Sequence, residues 1–394
     1  GNTCAITAKA LSITAASIAS RVYNATKTVG AITKGTLTGF IGTETVTATA
    51  VGSDYASANV GSNTSTITYT LVDGTNGGLA SNYSLANEVA NGVITKKQLT
   101  IADPEITKIK EYDKTATANV IVGTLSNVVK VGSATDAVTA SAVGTYSTSI
   151  AGTSKAITVV YTLAGADKDN YIKPVDKVYT DGVITAKQLT ITAKPHTILY
   201  NGTNYSGGNG VNLTEMASGE SISNLTGTLN YTGTSQGAKN VDTYTIIPGG
   251  LSSPNYNINY VGGALEIKKA TLKVIAGDQS VNFGTPAAKI LTDATFTYAS
   301  LLGGDNTSDI TGSVTYTTNY TPLTSTGASG IYIEPIITGL SNSNYDIIAV
   351  NGTITITAPP ASPVFQIPNA FTPNSDGHND TFKIIQNGYV TSII

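Results

Sequence analysis

"VITKKQLTI", from Val93 to Ile101, returns as "VITAKQLTI" from Val183 to Ile191 and as "LEIKKATLKVI" from Leu265 to Ile275. A phrase that recurs at domain-sized intervals marks a repeat architecture, so it decides how the rest of the chain is divided. The leucine of each "LTI" is one ruler: Leu11 to Leu99 spans 88 residues, Leu99 to Leu189 spans 90, and Leu189 to Leu272 spans 83. The dipeptide Asn-Tyr is a second, at Asn82-Tyr83, Asn170-Tyr171, Asn255-Tyr256 and Asn344-Tyr345, with separations of 88, 85 and 89. A third ruler falls 11 to 13 residues after each leucine, where an aromatic meets a turn-forming residue at Tyr23-Asn24, Tyr112-Asp113, Tyr200-Asn201 and Phe283-Gly284. Together they define four modules, 11–98, 99–188, 189–271 and 272–358, with a weaker echo of the phrase at "GTITIT", Gly352 to Thr357. "AITAKALSI", Ala5 to Ile13, matches "VITAKQLTI" at six of nine positions, so residues 1–10 read as the tail of an earlier repeat in a longer natural protein.

Within the modules the period is two. "STITYTLVD" at Ser65 to Asp73, "AITVVYTLAG" at Ala156 to Gly165 and "DTYTII" at Asp242 to Ile247 alternate apolar with hydroxyl side chains. Such alternation places one face of a strand in a core and the other in water. Turn residues interrupt these runs at the spacing of a sandwich or compact β-fold. The fold class is therefore all-β, a tandem array of small β-sandwich-like or related β modules. Only "AAKILTDATFTYASLL", Ala287 to Leu302, has a helical look, and Thr295 to Tyr298 argue against it. The junction phrase leaves only two polar residues, such as Lys97 and Gln98, between apolar strand positions. A join that short is no floppy tether, and the array is expected to be stiff and elongated.

Composition narrows the function. Charged residues make up 12% of the 394, with 22 Lys+Arg against 25 Asp+Glu, so no broad field is available to attract nucleic acid or anionic lipid. No apolar run approaches the length of a transmembrane helix, and no charged segment followed by an apolar one opens the chain. The single cysteine, Cys4, excludes an internal disulfide framework and any CxxC site, and is read as a small apolar residue.

Catalytic chemistry has little to work with. Acid-base catalysis by histidine would rest on His196, after Pro195 at a strand start, and His378, in a terminal turn. No HExxH, P-loop or dinucleotide turn is present. Asp167 and Asp169 in "GADKDN" are a carboxylate pair, but the equivalent loops "GTNGGLASNY" and "GLSSPNY" lack them. "GADKDN" and "NSDGHND" offer oxygen ligands without the full calcium-loop pattern, and turn formation explains both; Asp376, Asn379 and Asp380 are the first residues to examine if Ca²⁺ binds. No other cofactor is expected. The Asn-Tyr pairs have two readings, aromatic platforms for sugar or a turn followed by a core tyrosine whose hydroxyl finds a partner at the edge, and the second is preferred. The match Asn201-Gly202-Thr203 to a glycosylation acceptor is of the kind expected by chance in a Thr-rich chain.

"KEYDKTATA", "GTLSNVV", "AGTSKAITVVYTLAGADKDNY" and "GVITAKQLTI" in the second module resemble the YDG-type module of bacterial surface proteins. The first module, with "VYNATKT" and "GGLASNYS", is similar, although Asn24-Ala25 stands where Asp-Gly is expected, and Lys114 replaces the glycine in the second. "LYNGTNY" with "NVDTYTIIPGG" and "NYNINYVGGALEI", and "VNFGTPAAKI" with "NYDIIAVNGTITIT", resemble the mostly-β, glycine-rich MBG modules of large bacterial adhesins.

After the proline-rich spacer at 359–364 comes "IPNAFTPNSDGHNDTFKI", which resembles the start of the gliding-motility-associated C-terminal domain, the type B sorting signal of type IX secretion in Bacteroidetes-like bacteria. The matching positions are Ile367, Pro368, Asn369, Phe371, Thr372, Pro373, Asn374, Asp376, Gly377, Asn379, Asp380 and Phe382, and residues 365–394 would be the beginning of that domain. The resemblance implies export through the type IX translocon and display by the surface attachment machinery, or release. The expected protein is a non-enzymatic surface adhesin or its stalk, in the manner of mobile gliding adhesins, with no nucleic-acid partner. The alternatives are a carbohydrate-binding array, or the stalk of an extracellular enzyme whose catalytic domain lies upstream.

Overall fold

The computed structural model describes residues 5–358 and the backbone of a hairpin formed by Lys383–Gln386 and Tyr389–Ser392. The chain forms two compact units: Gly1–Gln188 with Met216–Glu220 and Ser253–Asn257, and the remainder.

One plan is repeated along the chain. In the first module the main sheet has the order Arg21–Val22, Glu88–Thr95, Gly61–Asp73, Val46–Gly52, with Arg21–Val22 parallel to its neighbour and the other pairs antiparallel. The second module repeats it as Ile109–Glu111, Lys177–Thr185, Gly152–Ala164, Thr139–Tyr146, extended by Thr117–Ala118. The third runs His196–Leu199, Gly263–Lys268, Asp242–Ser252, Thr226–Thr232, and the fourth Gln279–Asn282, Gly352–Thr357, Tyr332–Ile336, Thr315–Thr318.

A second layer covers each main sheet. In the fourth module it is Phe296–Ala299, Ala270–Ala276 and Tyr345–Val350, the last two parallel. In the first two modules it is broken into two-residue pairs, such as Lys9–Ala10 with Tyr83–Ser84 and Lys97–Gln98 with Tyr171–Ile172, both parallel. The opening strand of a module therefore starts in one layer and crosses to the other, as Ala270–Ala276 passes through Gly277 and Asp278 into Gln279–Asn282. Strands that change layers in this way form the corners of packed β-sheets.

The period-two reading accounts for the core. Along Gly61–Asp73, Ser65, Ile67 and Tyr69 are buried while Thr66, Thr68 and Thr70 are exposed, and along Gly152–Ala164 the same holds for Ile157, Val159 and Tyr161 against their neighbours. Gly92 sits under the Tyr55 ring, where a Cβ would stand 1.8 Å from the phenol oxygen, so no larger residue fits.

One sequence expectation needs correction. Ala287–Thr292 is an α-helix, started by Pro286 and ended at Asp293. Ala287, Ala288, Lys289 and Leu291 favour helix and Ile290 is buried, whereas Thr295 to Tyr298 all follow the helix end at Asp293, three of them in the strand Phe296–Ala299. Apart from such short elements the regular structure of the described residues is β.

Candidate functional site

The junction phrase compresses two modules onto one residue. Glu88–Thr95 and Lys97–Gln98 are separated by Lys96, Lys177–Thr185 and Lys187–Ala193 by Ala186, and Gly263–Lys268 and Ala270–Ala276 by Lys269. So short a link forces the end of one module onto the start of the next. The three sequence rulers meet there.

Each contact has a plug and a socket. The plug is the aromatic turn, positioned by a backbone hydrogen bond from its own module's last strand: the N–H groups of Tyr23, Tyr112 and Tyr200 donate to the carbonyls of Thr95, Thr185 and Lys268, at 2.9, 2.9 and 2.7 Å. The turn is closed locally by an Asx motif. The Oδ1 atoms of Asn24, Asp113 and Asn201 accept the N–H of Thr26, Thr115 and Thr203. The intervening Ala25, Lys114 and Gly202 have φ values of 59°, 72° and 72°. Asn201-Gly202-Thr203 is thus a built turn.

The socket is the Asn-Tyr pair of the following module together with a carboxylate. In unit 2, the Tyr200 and Tyr345 rings meet edge to face, with centroids 5.4 Å apart and planes at 79°. Both hydroxyls donate to Oδ2 of Asp305, at 2.7 and 2.9 Å, and the Leu302 N–H donates to the Tyr345 hydroxyl at 2.8 Å. The Asn344 Oδ1 accepts the N–H of Val241 at 2.9 Å, and its amide donates to Asn240 Oδ1 at 3.2 Å. Gly202 and Gly303 are packed backbone to backbone: a Cβ on Gly202 would come within 2.5 Å of the Gly303 Cα.

Unit 1 contains the arrangement twice. Tyr23 and Tyr171 meet at 5.5 Å and 78°, with the Tyr171 hydroxyl donating to Asp136 at 2.6 Å and accepting from the Val129 N–H at 2.9 Å. Asn170 accepts the N–H of Val60 at 3.0 Å and donates to Asn59. Tyr112 and Tyr256 also meet at 5.5 Å and 79°. There the Glu220 carboxylate is divided between two hydroxyls, Oε1 accepting Tyr112 at 2.7 Å and Oε2 accepting Tyr256, while Ala217 donates its N–H to the Tyr256 hydroxyl at 3.0 Å and Asn255 accepts that of Ala151 at 2.9 Å.

The surroundings are apolar. One core cluster in unit 1 contains Tyr23, Tyr55, Ile94, Leu99, Val129, Val138 and Tyr171, and one in unit 2 contains Tyr200, Ile246, Leu265, Leu272, Ile310 and Tyr345, each crossing a module boundary. Burial and the neighbouring carboxylate hold these phenols in the neutral form: Tyr112 and Tyr171 are pushed up to about 12, and Tyr23 and Tyr200 are raised further. Burial pushes the Asp305 carboxyl up, but hydrogen bonds from Tyr200, Tyr345 and Lys239 outweigh it and leave the group below its ordinary value. An edge-to-face pair adds about 0.5–1.5 kcal/mol beyond area burial, and a hydrogen bond to a charged group about 1.5–3 kcal/mol. Chemically the arrangement is a clamp between modules.

The remaining singled-out residues are placed as follows. Asp167 accepts the Ala137 N–H at 2.7 Å, and the short 3₁₀ turn Lys168–Asn170 carries Asp169. His196 meets the Tyr205 hydroxyl through Nδ1 at 3.1 Å. Among the described residues no cluster of His, Cys, Asp or Glu has the geometry of a metal site. The four Asn-Tyr tyrosines are 2–5% exposed, so their rings present no open face. Cys4, His378, Asp376, Asn379, Asp380 and the whole sorting-signal match from Ile367 to Phe382 lie outside the described residues.

The fold and its clamps define a tandem array of all-β repeats. The repeats are YDG domains at residues 7–90 and 95–178, followed by an MBG domain of the YGX type at 189–266. No curated protein matches the chain. Among solved structures, it is similar at 11% identity to the protocadherin gammaB7 EC3-6 cis-dimer structure (TM-score 0.22; 86% of this chain, 98% of that one). It is also similar to surface layer protein SbsC, domains 1-6 (10%, TM-score 0.18; 85% and 49%), and to Drosophila N-cadherin EC1-4 (11%, TM-score 0.17; 76% and 83%). Scores this low carry no argument about function. No helix among the described residues is long and apolar enough to cross a membrane, which says nothing of a β-barrel.

Proposed function

We propose that the chain is part of a non-enzymatic cell-surface adhesin or adhesin stalk. The observation that supports this most is the tandem of YDG and MBG domains whose modules share core residues and tyrosine clamps across their boundaries. A clamp made of buried aromatic and charged hydrogen bonds resists bending at the boundary, which is what a stalk needs and a pocket-bearing enzyme does not. Hydroxyl-rich outer faces and a charged fraction of 12% keep such an array soluble without broad electrostatic adhesion. Export by the type IX route, and gliding as the process served, rest on the resemblance of Ile367 to Phe382 to a type B sorting signal. The test is live-cell imaging with a fluorescent antibody raised against residues 189–358. Surface label is expected, and label that travels along the cell would assign the molecule to gliding. Label confined to the cell interior would overturn the reading.

A further inference from the structure

We propose that the first module carries a fourth socket of the same construction, on the face formed by Ile41, Glu44, Asn82 and Tyr83, which takes the Tyr-Asx turn of another repeat module of this type. The equivalence is atom by atom. The Ile41 N–H donates to the Tyr83 hydroxyl at 3.0 Å, as the N–H groups of Val129, Ala217 and Leu302 do to their socket tyrosines. The Tyr83 hydroxyl donates to Glu44 Oε2 at 2.6 Å, as Tyr256 does to Glu220 Oε2. Lys9–Ala10 pairs in parallel with Tyr83–Ser84, as Lys97–Gln98 does with Tyr171–Ile172.

What differs is the cover. Among the described residues, Glu44 Oε1, the counterpart of the oxygen that takes Tyr112 in the Glu220 socket, accepts no hydroxyl. Among the described residues, Asn82 is exposed and its Oδ1 accepts no N–H, whereas Asn170 and Asn344 are 5% and 9% exposed and do. Ile41 is 50% exposed against 7% for Val129 and 9% for Ala217. Phe40 lies edge-on to Tyr83 at 6.1 Å, but it precedes the N–H donor in sequence, where Val128, Met216 and Leu301 stand in the filled sockets, so it belongs to the socket wall. With Tyr83 itself only 4% exposed beside Phe40, the face offers Ile41 and Phe40 as its apolar surface, one carboxylate oxygen for a phenol and one amide oxygen for a backbone N–H; in the filled sockets the turn tyrosines Tyr112 and Tyr200 supply the phenol, and Val60, Ala151 and Val241, elsewhere in the same neighbouring module, supply the N–H.

The test uses the full chain and a version in which residues 95–182 are duplicated ahead of Ala5, joining the copy through the junction phrase. Cys4 is replaced by serine in the first and omitted from the second, and Ile41→Cys supplies the sole thiol in each. Maleimide labelling is expected to slow roughly tenfold when the copy is present, because the thiol then reacts only when the joint opens. Speed should return when the copy's plug is removed by its Tyr112→Ala change, and in part with Glu44→Gln. Circular dichroism establishes that the copy is folded. An unchanged labelling rate with a folded copy would overturn the proposal, as would protection that survives both substitutions.

Discussion

Replacing Asp305 by asparagine tests the clamp where it is best defined. Its Oδ2 accepts both the Tyr200 and Tyr345 hydroxyls, and both rings are 2% exposed, so neither phenol has water to turn to. Asparagine keeps an oxygen in that position but no charge. Hydrogen bonds to a charged group contribute about 1.5–3 kcal/mol and neutral ones about 0.5–1.5, so two bonds weakened by about 1 kcal/mol each predict a loss of about 2 kcal/mol. The Lys239 pair, 3.4 Å away with the lysine 37% exposed, adds little. Hydrogen exchange reads the loss locally. The amides of Leu302 and Val241, which donate into the clamp, should exchange roughly 30-fold faster through joint opening, since about 1.4 kcal/mol corresponds to tenfold. The sign with pH is fixed by the depressed Asp305 carboxyl. Its contribution is complete above its ordinary value of 3.8 and disappears as pH falls through the lower folded value, so the gap between wild type and variant should be full at neutral pH and close in strong acid. A cycle with Tyr200→Phe should show coupling of about 1 kcal/mol. Exchange within threefold of wild type, with no coupling, would refute the clamp as an energetic element.

Other outcomes follow from the same geometry. Gly202→Ala should destabilise unit 2 by about 2 kcal/mol or more in urea unfolding, because its Cβ meets the Gly303 backbone and its φ is 72°. Ala25→Gly should instead stabilise by up to about 1 kcal/mol, relieving a left-handed alanine in the corresponding turn. Spectrophotometric titration should show Tyr112 and Tyr171 ionising near pH 12; raised phenols contribute stability that is full below pH 10 and lost as pH rises through 12, and Glu220→Gln should bring Tyr112 down. Tyr55, 1% exposed with no hydrogen-bond partner for its hydroxyl among the described residues, should tolerate Tyr55→Phe with unchanged or higher melting temperature.

The strands were legible because alternating Thr with Ile, Tyr or Val is itself the physical cause of a half-buried strand. Asn-Tyr was legible as a turn leading into a buried tyrosine, but not as a bond to the preceding module, since nothing local to Asn344 points to the Val241 amide 103 residues away. The carboxylates leave no sequence signal for another reason. Glu44, Glu220 and Asp305 follow their N–H donors Ile41, Ala217 and Leu302 by three residues, but Asp136 follows Val129 by seven, the hairpin of Lys130–Val131 and Ala134–Thr135 intervening. Alternation of Glu with Asp and a variable spacing erase any motif, while the fold brings the charge to one place. The helix at Ala287–Thr292 has a weak sequence signal because its six residues run within four positions into the β-branched and aromatic strand Phe296–Ala299.

The two halves of each clamp are unlike: one module end supplies a phenol and an N–H, the other a carboxylate and an amide oxygen. Like ends therefore have nothing to offer each other, and contacts of this heterologous kind propagate in a single sense instead of closing into a pair. A gene encoding such modules can gain or lose whole periods by recombination between its own repeats without any new interface having to evolve, provided the cut falls in phase with the junction phrase. Phe283, which takes the plug position by donating its N–H to the Thr357 carbonyl but brings no hydroxyl, is where that grammar changes.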